Sequence, residues 1–422
     1  MRIKRDYSRP FFGSRRRRLP GRNALPVLLL LAMALAFFWL QRDTLQYAAL
    51  DLVGLAPTPT PFASELATRG AALAQAGDLA GAGAHFLRAV EQRPDNLDYL
   101  YEYGKLLIEL DRAQEVLEEQ PLFGGLTLAD RAIELDSRDA RGYALKARAL
   151  VWVDEAADAI PVGTAGLEQN SDFAPLNAAL GRAYTRIGRY QQGLDFAERA
   201  VALDPLDVEA RRSYAIALIW VGQRYEAIGQ LEDAIALQPR WKGPWFELAA
   251  QYLATDQDEL AIATYDQILT LDRGDKRAML RLCQAWAKVG RNDQAQGYCQ
   301  DALDIDPEYA EAWIEIGRAK YTRRNYEGSI EAFENCANFG STAIECWYLR
   351  GLAHYYLGQC DEAWTILNEA LPMTLRLAEP GPIVANIREG LRLTTIDCPA
   401  YAGAALPTGI PPTPVPPTPI GG

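Results

Sequence analysis

The chain has 422 residues, 49% of them hydrophobic and 23% charged, the composition of a globular protein rather than a disordered or collagen-like one. At roughly 150 residues per domain, length alone suggests about three domains. A formal charge of −12 excludes a uniformly basic nucleic-acid binder, yet the total conceals an asymmetry: residues 1–22 hold nine basic residues against Asp6, a local +8, which leaves −20 for residues 23–422.

In chain order, residues 1–23 form a basic segment carrying the Arg15–Arg18 run. Ala24–Leu40 then supplies seventeen residues without a charge, ALPVLLLLAMALAFFWL, or about 25 Å of helix at the short end of a membrane span. Phe37, Phe38 and Trp39 stand at its far end, where aromatic rings favour the interface. The positive-inside rule then predicts a single transmembrane signal-anchor, with a cytoplasmic N-terminus and an extracytoplasmic remainder at the cell membrane. A cleaved signal peptide would want a small-x-small site, and FFWLQRDTLQ offers none. The arginine pairs weakly resemble a twin-arginine export signal, and a buried core helix would not need nine flanking cations. Residues 41–62 read as a juxtamembrane segment and linker, with APTPTP at Ala56–Pro61. Residues 398–422 read as a Pro/Thr-rich disordered tail containing PPTPVPPTP at Pro411–Pro419. Alternating Pro and Thr favours extended polyproline conformation over helix or sheet.

Between these ends the chain repeats. Pro205 and Pro239 lie 34 residues apart and Pro307 a further 68, each closing a run such as AERAVALDP, LEDAIALQP or QDALDIDP. Each run has helical spacing and stops before its proline. A second apolar helix precedes it, with Gly188-Arg189, Gly222-Gln223 or Gly290-Arg291 at the turn between. The pattern resembles the tetratricopeptide repeat, a 34-residue helix–turn–helix unit. With repeats beginning at Val208, Lys242, Lys276, Ala310 and Ile344, Trp245, Trp313 and Trp347 take the bulky fourth position and Gly317 and Gly351 the small eighth. Ala227, Ala261, Ala295 and Ala363 take the twentieth position, and Ala234, Ala302 and Ala370 the twenty-seventh. Further units start at Ala174 and Ala63. The unit near Leu97 carries about nine extra residues around Arg112–Gly125, read as a longer loop. The unit near Ala140 has Pro161 and Gly163 in its second helix, which should be kinked or shortened. The resemblance therefore implies an all-α, right-handed solenoid of about nine units over residues 63–397, closed by a capping helix near Pro382–Thr394. That is one array in place of three domains.

All six cysteines lie late: Cys283, Cys299, Cys336, Cys346, Cys360 and Cys398. In the repeat frame Cys283 and Cys299 occupy the eighth and twenty-fourth positions, which face each other across the helix pair. The pairing 283–299, 336–346, 360–398 would staple the C-terminal end, although fifteen pairings are possible. Six buried thiols are the alternative, and an exported location favours disulfides. There is no CxxC, and His85 and His354 are the only histidines, so neither a metal nor a cofactor is called for. No GxxxxGK, GxGxxG, GxSxG or HExxH pattern nominates an enzyme or a small-molecule substrate.

The resemblance also implies that first helices line the concave surface. Carried over by position, that surface holds Arg141, Arg148, Arg182, Arg186 and Arg212, with Glu209 as its acid, and Trp152 and Trp220. It continues through Phe246, Leu280, Tyr321, Tyr348, Tyr355 and Tyr356. Guanidinium forks suit carboxylates, so one reading is a groove for an acidic peptide whose apolar part lies over the tyrosine end. The other is that these arginines pair with acids on neighbouring helices. The asparagines of a chaperone-tail clamp are missing, since ninth positions hold Arg148, Arg182, Ile216 and Ala250. The function expected is a membrane-anchored, exported scaffold binding a protein or peptide partner. Two alternatives stand beside it: an envelope-polysaccharide binder, and a cytosol-facing organelle import receptor.

Overall fold

A computed structural model describes residues 61–374 and 381–406. The chain divides into two compact units, Met1–Phe62 and Ala63–Gly422, and the described helices all belong to the second. The expected anchor at Ala24–Leu40, its basic flank and the APTPTP linker lie outside the described residues. Among the described residues no helix is long and apolar enough to cross a membrane.

Nine antiparallel helix pairs succeed one another. They are α1 (Ala63–Gln75) and α2 (Leu79–Gln92); α3 (Leu97–Glu109) with the short α4 (Gln114–Leu117) and α5 (Leu128–Leu135); α6 (Ala140–Trp152) and α7 (Ala156–Gln169); and α8 (Ala174–Arg186) and α9 (Tyr190–Leu203). Next come α10 (Val208–Trp220) and α11 (Arg224–Leu237), α12 (Lys242–Ala254) and α13 (Asp258–Leu271), and α14 (Lys276–Lys288) and α15 (Asn292–Ile305). The last pairs are α16 (Ala310–Thr322) and α17 (Tyr326–Asn338), and α18 (Glu345–Tyr356) and α19 (Cys360–Met373). A final helix, α20 (Gly381–Asp397), covers the open end.

Three local devices repeat with the period. The turn inside each pair needs one residue in the left-handed region, and from Asp154 to Gly358 such a residue recurs every 34 positions. Glycine fills most of these positions, Asp111, Asp154 and Asp256 three of them, and Arg324 one, at φ +61°. The bulky fourth position does more than fill space. The indole N–H of Trp245 donates to the carbonyl of Pro239 at 2.9 Å and that of Trp313 to Pro307 at 2.8 Å, so it satisfies the backbone at the end of the preceding unit. At the eighth position the two helices cross closely. A Cβ added to Gly317 would stand 2.5 Å from the Phe333 ring, and one added to Gly351 would stand 2.8 Å from Leu367. The alanines at the twentieth and twenty-seventh positions are buried for the same reason.

Three expectations change. The nine extra residues near Arg112–Gly125 do not form an open loop but fold into α4 and a two-residue antiparallel ladder, Glu119↔Thr127 and Gln120↔Leu126. The second helix of the Ala140 unit is not shortened. Helix α7 runs fourteen residues through Pro161, which lies on the exposed side in the second turn, so the one bond it forgoes leaves a carbonyl facing water. Gly163 and Gly166 let that helix approach Leu180 and Tyr143, since a Cβ on either would meet them at 2.5 and 2.6 Å. Finally, residues 398–406 are not part of a disordered tail. Pro399–Tyr401 form a 3₁₀ turn, Tyr401 stacks on Trp364 at 4.8 Å, and its hydroxyl donates to Asp361 at 2.9 Å.

The array also curls back on itself. The Arg240 guanidinium donates to the carbonyl of Ala76 at 2.9 Å and the Trp241 indole to that of Ala74 at 3.4 Å. Contacts between residues 164 and 167 positions apart bring the α1–α2 turn against the loop before α12.

Candidate functional site

First helices line the inside of the curl, and between α3 and α12 charged side chains from several of them meet at its centre. Glu109 ends α3, Arg148 lies on α6, Arg182 on α8, Glu209 and Arg212 on α10, and Glu247 on α12. Arg212 is only 3% exposed at its side chain, and its guanidinium reaches Glu247 at 2.7 Å, Glu209 at 3.0 Å and Glu109 at 3.2 Å. Arg148 pairs with Glu109 and lies 3.3 Å from Glu209. Arg182 lies 3.0 Å from Glu209 but turns its Nε–H to the Ser213 hydroxyl at 3.1 Å. Beneath them the Trp152 ring lies 5.3 Å from the Arg182 guanidinium and 5.9 Å from that of Arg212, and its indole donates to Asp111 at 3.2 Å.

Three cations and three anions, all but Glu247 nearly out of water, compensate one another, so removing any one leaves a charge uncompensated. Burial alone would raise the Glu209 carboxyl. The guanidiniums of Arg148, Arg182 and Arg212 outweigh it and hold the group down at about 2. Burial lowers Arg182, whereas Arg212 is held well above its ordinary value by Glu247, Glu209 and Glu109 against the same desolvation. Burial raises the Asp207 carboxyl, which accepts the backbone N–H groups of Glu209 and Ala210 at 2.7 and 3.1 Å and so caps α10.

The arginine stretch expected to line a ligand groove is therefore divided. Arg148, Arg182 and Arg212 are taken by the chain's own glutamates. Arg141 is held by Asp98 at 2.5 Å and Asp139 at 2.7 Å. Exposed Arg186 pairs with Asp154, and Trp220 stacks on Tyr190 with centroids 5.3 Å apart. Phe246 and Leu280 belong to the core rather than to the surface, and Arg277 lies over the Phe246 ring at 4.4 Å. Two clefts flank the hub, of about 650 Å³ beside Tyr101, Phe173 and Leu206, and about 820 Å³ beside Lys242, Lys276 and Arg277. Glu109 and Trp241 line both.

Beyond α14 the inner face is open. A cleft of about 520 Å³ is lined by Gln284, Lys288, Arg318, Thr322 and Arg323. Its cations are themselves exposed and pair with exposed or half-buried acids: Lys288 with Asp256 and Asp258, Arg323 with Asp293 at 3.1 Å, and Arg318 with Glu315 at 3.7 Å. Next to it the structure gathers tyrosines. Tyr356, which is 53% exposed, stacks on Tyr326 at 4.8 Å, with Tyr321 edge-on to both and Tyr355 edge-on to Tyr356. The Tyr355 hydroxyl donates to Asp397, and Tyr348 is half-buried on the same helix. Repeat position does not point to Tyr326, because it opens a second helix. The six cysteines meet in three pairs at bonding distance, Cys283–Cys299, Cys336–Cys346 and Cys360–Cys398, with Cα separations of 5.3, 6.0 and 6.0 Å.

Similarity to known proteins tracks the same repeats. Tetratricopeptide repeat family models match residues 280–336 and 174–205. The TPR repeat-containing protein YpiA of Bacillus subtilis is 24% identical over 199 residues, 46% of this chain and 47% of that protein. Protein O-mannosyl-transferase TMTC1 of Homo sapiens is 24% identical over 165 residues, 38% of this chain and 19% of that protein. The DnaJ protein P58IPK homolog B of rice, Oryza sativa subsp. japonica, is 25% identical over 190 residues, 44% and 36%. The chain thus matches less than half the length of each of these relatives. Among solved structures, the Cut9-Hcn1 complex of the APC/C is similar over 84% of this chain and 81% of that chain at 14% identity and a TM-score of 0.49. YrrB, described as a TPR protein with an unusual peptide-binding site, is similar over 44% of this chain and 95% of its own at 21% identity and a TM-score of 0.34.

Proposed function

We propose that this chain, a tetratricopeptide repeat protein and thus a scaffold for protein or peptide partners, holds its partner on the open inner face of α14, α16 and α18. The first six repeats brace the array. One observation carries this reading: the inner-face arginines up to α12 are buried against the chain's own glutamates, whereas beyond it Lys288, Arg318 and Arg323 stay exposed within their ion pairs. Exposed ion pairs contribute only about 0–1 kcal/mol each, so Lys288, Arg318 and Arg323 exchange their present partners for carboxylates of a ligand at little cost. The tyrosines beside them offer rigid aromatic area of the kind that dominates interfaces. The partner this suits has acidic residues followed by an apolar stretch.

The uncharged Ala24–Leu40 segment behind nine cations supports a membrane tether with the repeats exported, and the pairing of every cysteine suits an oxidising compartment. A photo-crosslinking residue placed at Thr322 in the full chain, in its own membrane, should capture a discrete partner. The same residue at Glu102, in the cleft beside the hub, should capture none. Capture from Glu102 alone would overturn the reading. Modification of a cysteine introduced at Ala405 by an impermeant reagent added outside the cell is expected for export. Protection until lysis would place the repeats in the cytosol.

A further inference from the structure

The tyrosine cluster has a candidate occupant within the chain. Beyond Leu406 the sequence continues for sixteen residues, seven of them proline and none charged, including PPTPVPPTP at Pro411–Pro419. Residues 398–406 deliver this segment to one place. Cys398 is bonded to Cys360 and Asp397 accepts from Tyr355. Tyr401 is pinned to Asp361 and Trp364 at the start of α19, the helix next in the chain after the one carrying Tyr355 and Tyr356. Four residues, 407–410, link Leu406 to Pro411 and would span about 12 Å at about 3.1 Å each, from a chain end already tied to the cluster through Asp397 and Tyr355.

The cluster has the shape such a segment requires. Tyr326 and Tyr356 lie nearly parallel, with 15° between their planes, while Tyr321 stands at 71° and 62° to them and Tyr355 at 61° to Tyr356. Rings set edge-on to a stacked pair leave apolar notches bordered by hydroxyls. A polyproline helix turns once every three residues, so in that conformation Pro411, Pro414 and Pro417 would share one edge that fills notches between the rings. Proline-rich sequence favours an extended conformation before binding, and this segment carries no charge to desolvate, so little would be lost on docking.

We propose that the chain's own Pro411–Pro419 segment docks on Tyr321, Tyr326, Tyr355 and Tyr356 and competes there with the apolar part of a partner. This rests on the reading of that face as the partner site, and it is tested without any partner. A fluorescent peptide of residues 405–422 is titrated into the full chain and into a chain ending at Leu406, both in detergent, and followed by anisotropy. The shortened chain should bind saturably. Tyr326→Ala and Tyr356→Ala should each weaken binding at least ten-fold with an unchanged circular dichroism melt, and Tyr225→Ala should leave it as it was. Tyr356→Phe, which keeps the ring, should bind within about three-fold. The intact chain should bind the added peptide at least ten-fold more weakly than the shortened one, because its tethered segment acts at about millimolar effective concentration. Absence of binding by the shortened chain overturns the proposal, as does binding indifferent to the tyrosines or equal binding by the intact chain. Dimerisation that requires residues 407–422 would assign the segment to a second copy and also overturn it. A failed partner crosslink with successful peptide binding would remove the partner reading and leave this one standing.

Discussion

The two halves of the repeat array are stabilised in opposite ways. From α3 to α12 the curl brings first helices of distant repeats into contact, and their charges meet in a buried hub of Arg148, Arg182, Arg212, Glu109, Glu209 and Glu247. From α14 onward the hydrogen bonds join neighbouring units, such as Gln284 to Glu315 and Lys288 to Asp258, and all three cysteine pairs are found there. Where the array closes on itself it needs no covalent ties, and where it stays open it has them. The proposed partner face is therefore the one whose cations stay exposed, and the hub arginines are already held by the chain's own glutamates.

The largest effect that would separate the halves is expected from Glu209. Removing one member of a buried ion network typically costs about 3–5 kcal/mol, so Glu209→Gln should lower stability by that order, with hydrogen exchange rising in α6, α8 and α10 and not in α16–α19. Uniform exchange across the array would break the comparison. Reduction should do the reverse. Losing closed loops of 16, 10 and 38 residues costs roughly 2–4 kcal/mol for each loop in the chain-entropy account, and protection should fall from α14 to α20 only.

Acid sharpens the same contrast. The folded Glu209 carboxyl titrates at about 2 against an ordinary 4.5, so it contributes stability above pH 4.5 that is lost as pH falls toward 2. Asp207, raised by burial, acts in the opposite direction, because its cost is relieved on protonation. The hub repeats should therefore lose protection between about pH 4.5 and 2 ahead of the stapled ones, as read by exchange-quench mass spectrometry. At the smallest scale, Arg324→Gly should stabilise the α16–α17 turn by about 0.5–1 kcal/mol, because its left-handed backbone suits glycine. A loss of stability in thermal melts would contradict that.

Local structure is legible in the sequence because it repeats. Pro205, Pro239 and Pro307 mark helix ends, Gly317 and Gly351 mark crossings, and the capping helix is expected within a few residues of Gly381–Asp397. The hub is not legible, for a physical reason. A 34-residue period reports which residues face inward in each unit but not how tightly the units curl. The partnership of Arg212 with Glu109, 103 residues away, exists only through the curl. Sign alone therefore makes Arg148, Arg182 and Arg212 look like a ligand surface, although Glu109 stands at an inward position as well. Tyr326 is hidden differently, as a second-helix residue that reaches the inner face only by stacking on Tyr356. The insertion near Gly125 can be counted but not folded, since two-residue strands leave no periodic trace.

The central claim is that the inner face of the early repeats is closed by pairing across the curl. A double-mutant cycle between Glu109→Gln and Arg212→Gln, measured by urea unfolding of the full chain in detergent, tests it directly. Closure is expected to give a coupling energy of at least about 1 kcal/mol, the range for residues within one ion-pair network. Strict additivity of the two substitutions would mean that these side chains do not meet, and that the inner face of the early repeats is open.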